Sequence, residues 1–122
     1  MTRWLASVLR SFGPALSGLV WALKTQRNLQ VHGLATLLVG GFGIWLQLAA
    51  WEWCVVLLAV GLVWAAELLN TAIEVLADRV SKEREEPIRL VKDAAAAAVL
   101  VAALAALGVG LVVFLPKLWH LL

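Results

Sequence analysis

Several polar residues interrupt one apolar stretch of the chain, residues 66–78 (AELLNTAIEVLAD). An α-helix turns by about 100° per residue, so residues three, four and seven positions apart share a face. The polar residues of the stretch fall within one sector about 100° wide; they are Glu67, Asn70, Thr71, Glu74 and Asp78. An ionisable group inside a membrane helix costs about 2.5–3.5 kcal/mol, so such a face predicts a functional site turned toward protein or water.

Carboxylates and an amide on one helix face suit two kinds of chemistry. A carboxylate in a low-dielectric site holds a proton more tightly and becomes a better general base toward a hydroxyl group. Mg²⁺ takes one or two carboxylates together with phosphate oxygens. Lys92 and Asp93 open the next apolar stretch at the same depth, and the lysine suits a phosphate group. Each residue also has an explanation without function. Lys92 fits a lysine at the membrane interface, and Asp93 fits an acidic residue at the start of a helix.

A shorter membrane span is the alternative explanation of the carboxylates. If the helix left the membrane near Glu67, only about 14 uncharged residues would remain, against the roughly 20 that a span needs. This alternative accounts well for Asp78, partly for Glu74 and poorly for Glu67. The sequence therefore favours a polar site within the membrane helix.

The composition of the whole chain supports a membrane location. Of its 122 residues, 63% are hydrophobic and 15% are charged, the mean hydropathy is +0.93, and seven Trp accompany no Tyr. These values exclude a disordered chain and a disulfide scaffold, and they argue strongly against a soluble enzyme. The net charge of +2 comes from scattered cations, which predicts no nucleic-acid partner.

The apolar stretches predict an all-α integral membrane protein with a single domain over residues 1–122. Three transmembrane helices are expected at about residues 33–51, 53–79 and 92–115, and residues 1–30 are expected to form an amphipathic helix at the membrane surface. Nine lysines and arginines lie before the first span or within residues 79–92, where the second span ends and the third begins, whereas one follows the third. The positive-inside rule places those two segments, and the N-terminus, in the cytoplasm.

Residues 67–74 (ELLNTAIE), Asp78-Arg79 and Lys92-Asp93 followed by alanines resemble the signature of the prokaryotic diacylglycerol kinase family, which includes the undecaprenol kinases. Residues 11–19 and 22–32 resemble its N-terminal pattern, and the resemblance extends over roughly residues 11–116. It implies a homotrimer with shared active sites in the bacterial inner (cytoplasmic) membrane. It also implies transfer of the γ-phosphate of MgATP to the hydroxyl of a membrane lipid, diacylglycerol or undecaprenol.

The resemblance also implies roles for individual residues. Glu67 would be the general base that takes the proton of the lipid hydroxyl, and Glu74 would hold Mg²⁺. Asn28 and His32 are candidates for contact with the lipid headgroup. The residues expected to bind nucleotide are Asn70, Glu74, Asp78, Glu83, Arg84, Glu85, Lys92 and Asp93.

Two positions depart from the family pattern. Gln26 stands where the best-known diacylglycerol kinases have a metal-binding glutamate, and an amide oxygen brings no charge to Mg²⁺. Residues 82–87 (KEREEP) replace the Glu-Tyr-His of many relatives, which removes expected contacts to adenine. Arg27-Asn28, His32 and residues 109–116 are more similar to the undecaprenol kinase branch.

Two other functions are compatible with intramembrane carboxylates. A kinase-fold regulator without activity is consistent with Gln26, although the other expected site residues are retained. A small proton-coupled transporter would carry its carboxylates near the middle of a span. Here the polar face continues to the cytoplasmic edge and meets Lys92-Asp93, which favours the kinase.

Overall fold

The structure, a computed structural model, describes residues 1–83 and 85–122 of the chain. Four helices follow one another: α1 (Thr2–Thr25), α2 (Arg27–Trp45), α3 (Ala50–Val80) and α4 (Glu86–Leu121). The described residues contain no strand, which confirms the predicted all-α class. Residue 84, one of the candidates for nucleotide binding, lies outside the described residues.

Helices α3 and α4 form an antiparallel hairpin, and they share the most extensive packing in the molecule. At about 1.5 Å per residue they are about 46 and 54 Å long. Helix α4 begins after Glu85, with Pro87 in its first turn. Proline suits this position because its fixed φ angle is helical and its missing N–H would have no partner within the helix. It continues through Pro116 to Leu121, beyond the end of the predicted span at 115.

The turn between α2 and α3 differs from the prediction. The first span was expected at residues 33–51, whereas α2 ends at Trp45 and α3 begins at Ala50. The chain reverses there through Gln47, whose φ of 54° is in the left-handed region. Periodicity does not detect such a reversal, because three of the four turn residues are apolar and Gln47 alone does not interrupt the apolar pattern.

A glycine allows α2 to approach this turn closely. A Cβ at Gly43 would lie 2.6 Å from the ring of Trp53 and 3.1 Å from Leu48 Cδ1. Leu48 packs in turn with Val56 and Val113 in the apolar core that joins α3 to α4.

Gln26 separates α1 from α2 by a single extended residue, with φ −105° and ψ 111°. The Gln30 side chain donates a hydrogen bond to the carbonyl of Leu23 (2.9 Å), so α2 itself caps the end of α1. Helix α1 continues through Pro14 without interruption. The predicted surface segment 1–30 is therefore one helix and the first turn of the next.

Within residues 1–83 and 85–122, three helices are long and apolar enough to cross a membrane: α1, α3 and α4. The number agrees with the prediction, but α1 takes the place of α2. Polar residues in the first turns of α2, among them Arg27, Asn28 and Gln30, lower its hydropathy. Large apolar side chains are exposed along all four helices, including Leu37, Leu58 and Val112. A surface of this kind is stable in hydrocarbon or against other chains rather than in water.

Candidate active site

The polar face predicted on α3 is buried at its upstream end and opens toward its downstream end. Glu67, Asn70 and Thr71 are buried, with 3%, 8% and 5% of their surface exposed. Glu74 is half-buried and Asp78 is exposed. The face therefore runs from the protein interior to the surface within about three helical turns, as the helical spacing predicts.

His32 on α2 contacts the most deeply buried of these carboxylates. Its Nε2 atom lies 3.1 Å from Glu67 Oε1, and the two side chains are 27% and 4% exposed. Asn28 lies one turn before His32 and is exposed. The structure thus brings His32 to Glu67, while Asn28 forms no hydrogen bond with Glu67 among the described residues.

Asn70 and Glu74 form the second polar pair of α3. Asn70 Nδ2 lies 3.4 Å from Glu74 Oε1 in a weak hydrogen bond, and Asn70 Oδ1 is buried without a partner among the described residues. A buried amide oxygen without a partner is costly, so this oxygen is available to accept a hydrogen bond or to bind a cation.

The oxygens of Asn70 and Glu74 fit Mg²⁺. They are hard oxygen donors, and Mg²⁺ is usually held by few protein ligands together with substrate phosphates and water. Within residues 1–83 and 85–122, no three His, Cys, Asp or Glu side chains lie together as a metal cluster. Gln26, the other candidate ligand, donates a hydrogen bond to Thr25 Oγ1 (3.2 Å) at the junction of α1 and α2.

Lys92 on α4 forms an ion pair with Asp78 on α3. Both side chains are partly exposed, so each remains accessible to a soluble molecule. Asp93 instead accepts a hydrogen bond from Arg89 (3.0 Å), which also pairs with Glu86. The hydrogen bond with Glu86, followed by the charge of Asp93, raises the pKa of Arg89 above its ordinary value.

A groove of about 550 Å³ adjoins this charged end of α3. It lies between α1 and α3, where its lining includes Trp21, Asp78, Arg79 and Lys82. The groove combines an aromatic ring with two cations, which are the features that nucleotide bases and phosphates bind. Glu83 and Glu85 lie exposed in the loop beyond it.

An apolar cavity of about 370 Å³ lies between α2, α3 and α4. Its polar end is formed by His32, Thr36 and Trp64, and its far end by residues such as Val56 and Phe114. Trp64 Nε1 donates a hydrogen bond to Thr36 Oγ1 (2.9 Å), whose hydroxyl donates to the carbonyl of His32 (2.7 Å).

Sequence reasoning missed Thr36 and Trp64 as parts of this site. Each stands alone in an apolar run, so the pattern of polar residues in the sequence does not single out either of them. Their spacing carries one usable signal, because Trp64 precedes Glu67 by three positions and Thr36 follows His32 by four. Both pairs therefore share a helix face.

The family model described as prokaryotic diacylglycerol kinase matches residues 13–114. The chain belongs to the prokaryotic diacylglycerol kinase family. This confirms the resemblance seen in residues 67–93 and in the N-terminal pattern. The protein is therefore a lipid kinase with several membrane helices. Lipid kinases use a nucleotide and a lipid as substrates.

Curated relatives carry two substrate names. The undecaprenol kinase of Bacillus subtilis is 38% identical over 109 residues, which cover 89% of this chain and 89% of that protein. The diacylglycerol kinase of Synechocystis is 39% identical over 117 residues, which cover 95% of this chain and 67% of that protein. The diacylglycerol kinase of Escherichia coli K12 is 31% identical over 105 residues, 86% of each chain.

Proposed function

We propose that this family member transfers the γ-phosphate of ATP to the hydroxyl group of a long-chain membrane alcohol. The observation that carries the proposal is the position of Glu67. This buried carboxylate contacts His32, which lines the apolar cavity, and it begins the polar face that leads to Lys92. A lipid hydroxyl and a nucleotide can thus approach one carboxylate from its two sides.

Glu67 is the general base in this proposal. The lipid hydrocarbon lies in the apolar cavity, and its hydroxyl lies at the polar end beside His32. Glu67 takes the hydroxyl proton, the lipid oxygen forms a bond to the γ-phosphorus, and the bond from that phosphorus to the bridging oxygen of ADP breaks. The products are the lipid phosphate and ADP, with the proton on Glu67 and later released to solvent.

The nucleotide lies along the open part of the polar face. Lys92 leaves its ion pair with Asp78 and contacts the nucleotide phosphates. Asn70 and Asp93 help to position these phosphates. Magnesium held by Asn70 and Glu74 would neutralise phosphate charge, which is the main requirement of phosphoryl transfer. The groove beside Trp21 receives the base, with Asp78 and the loop residues Glu83 and Glu85 nearby.

We propose that α2, residues 53–79 of α3 and residues 92–115 of α4 span the membrane, and that α1 lies in the interface. Two charged pairs support the placement of α3 and α4, since Glu52–Lys117 and Asp78–Lys92 mark opposite ends of the α3–α4 hairpin. The cationic end, with the N-terminus, faces the cytoplasm, where ATP is available. The membrane is the bacterial inner membrane.

A homotrimer with shared sites completes the proposal. Of the alanines 94–98 only Ala95 is buried, and those that remain exposed offer a flat surface to a neighbouring helix.

Undecaprenol is the proposed lipid, with diacylglycerol as the second candidate. The similarity of the α2 start, Arg27-Asn28 and His32, to the undecaprenol kinase branch favours it. The two substrates differ in the group beside the hydroxyl, an isoprene unit in one and a glycerol ester in the other. A direct comparison of the two therefore decides the branch.

The experiment is phosphate transfer from MgATP to lipid in mixed micelles, with undecaprenol, diacylglycerol or no lipid. The Glu67→Gln variant should lose at least about 100-fold in rate, the usual contribution of general acid–base catalysis. Glu52→Gln is the matched control, because Glu52 is also a buried glutamate of α3 but lies at the opposite end.

Labelling of either lipid by the wild type, lost in Glu67→Gln and kept in Glu52→Gln, supports the proposal. Wild-type activity in Glu67→Gln contradicts the general-base role. Absence of labelled lipid from a folded wild-type oligomer favours the regulator, the second candidate, which Gln26 supports because it removes a charged metal ligand.

A further inference from the structure

We propose that His32 is a positioning residue for Glu67, holding the carboxylate so that one defined oxygen faces the lipid hydroxyl. This inference deepens the proposed function and rests on it. The pair joins α2 to α3 at the polar end of the apolar cavity, where the reacting hydroxyl would lie.

The contact determines which oxygen of Glu67 is available. His32 Nε2 lies 3.1 Å from Glu67 Oε1. At this distance a ring nitrogen that carries a hydrogen can donate a hydrogen bond to the carboxylate. Apart from this close contact, the Glu67 side chain makes no hydrogen bond among residues 1–83 and 85–122. Oε1 is thus taken by the imidazole, and Oε2 remains to accept the proton of the substrate.

Burial makes this single contact important. Only 4% of the Glu67 side chain is exposed, so water contributes little to holding the carboxylate in one orientation. A buried charge is stable only when it is paired or hydrogen-bonded. Without His32 the carboxylate would rotate toward the nearest polar group, and its alignment with the hydroxyl would be lost.

The backbone of α2 at His32 is linked to α3 by a short chain of hydrogen bonds. The Thr36 hydroxyl donates to the His32 carbonyl and accepts from Trp64 Nε1. Trp64 lies one turn before Glu67 on α3, so the chain of bonds returns to the helix that carries the base. The α2 and α3 backbones are therefore kept in register at the level of the His32–Glu67 contact.

A purely structural ion pair is the competing explanation, and two substitutions distinguish it. In His32→Gln the amide nitrogen can take the place of Nε2 and donate to Oε1. In His32→Leu the side-chain volume is roughly kept, but the donor is lost. His120→Leu is the matched control, because it removes the other, exposed histidine at the end of α4.

The measurement is steady-state phosphate transfer from MgATP to the lipid that the wild type labels, with oligomer size and melting temperature recorded for each variant. We expect His32→Leu to lower kcat on the order of 10- to 100-fold, because a misaligned base loses part of its usual 10²–10⁴-fold contribution. The KM for ATP should stay within about twofold, since His32 lies away from the nucleotide groove. His32→Gln should recover most of the lost kcat.

The outcomes separate this inference from the proposed function. A folded His32→Leu variant with wild-type kcat overturns the positioning role, and so does a folded His32→Gln variant that is as slow as His32→Leu. Loss of kcat in proportion to a lowered melting temperature in both variants also overturns it, in favour of the structural pair. If the wild type transfers no phosphate to lipid, the proposed function fails, and the role of His32 fails with it.

Discussion

Lys117 Nζ lies 3.0 Å from Glu52 Oε1, which joins the C-terminal part of α4 to the first turn of α3. The same carboxylate oxygen accepts a hydrogen bond from the backbone N–H of Ala49 (2.9 Å), one of the donors left free at a helix start. This pair joins α3 to α4 at one end of the hairpin, and the Asp78–Lys92 pair joins them at the other end. The Glu52–Lys117 pair can form because α4 continues beyond Pro116, past the end of the predicted span at residue 115.

The Glu52 pair predicts a stability that depends on pH. The hydrogen bond from Ala49, and then Lys117, lower the pKa of Glu52, which lies just outside the predicted span 53–79, from its ordinary value of 4.5. Because the folded-state pKa is the lower one, the stabilisation is full above about pH 4.5 and is lost as the pH falls through the folded-state value. Melting temperature in detergent should fall on acidification below pH 4.5.

Glu52→Gln is the test of that assignment. The amide cannot be ionised, so this variant should melt lower than the wild type at pH 7 and show a smaller change between pH 5 and pH 3. Equal acid sensitivity in the two proteins would assign the effect to other carboxylates.

Glu67→Gln separates catalysis from folding. The substitution removes the ionisable group but leaves a side chain of the same shape, whose oxygen can accept a hydrogen bond from His32 Nε2. Phosphate transfer should be lost, while the melting temperature should change by no more than a few degrees, as for a stability change of about 1 kcal/mol. A large loss of melting temperature would show that the pair with His32 is mainly structural.

Lys92→Gln should weaken nucleotide use. Loss of a cation that contacts phosphate should lower kcat/KM for ATP by about tenfold or more, since a charge-assisted hydrogen bond contributes about 1.5–3 kcal/mol. Because the pair with Asp78 is partly exposed, stability should change by less than about 1 kcal/mol. Lys117→Gln is the control, since it removes a paired lysine of the same helix away from the groove. Equal kcat/KM for ATP in Lys92→Gln and the wild type would remove Lys92 from the nucleotide site.

Gln26→Glu would add a carboxylate at the candidate metal ligand between α1 and α2. We expect the Mg²⁺ concentration for half-maximal activity to fall on the order of tenfold, because a carboxylate binds the ion more strongly than an amide. A Mg²⁺ titration at saturating ATP measures this. An unchanged titration curve would show that residue 26 does not reach the metal in this protein.

Gly43→Ala tests the packing of α2 against the turn. Its new Cβ would overlap the Trp53 ring, so the substitution should destabilise the protein by about 1–3 kcal/mol. Gly41 lies on the same helix and has no atom within 4 Å of such a Cβ. Gly41→Ala should leave the melting temperature unchanged or raise it, because alanine favours helix. Equal melting temperatures for the two variants would contradict the close approach at Gly43.

The sequence by itself determined the membrane class, the all-α fold and the polar face of α3. Each depends on composition or on a helical period, and both are local properties of the chain. Glu67, Asn70 and Glu74 share a face because of their spacing alone. The family signature likewise lies within contiguous segments, so residues 67–74 and Lys92-Asp93 were recognisable without any structure.

Only the tertiary structure decided what that face meets. Three contacts join residues that are far apart in the sequence. Glu67 and His32 are 35 positions apart, Asp78 and Lys92 are 14 apart, and Glu52 and Lys117 are 65 apart. The turn at residues 46–49 and the chain from Trp64 through Thr36 to His32 are of the same kind. Such contacts depend on how the helices pack, because a helical period specifies which residues share a face but not which neighbouring helix that face contacts.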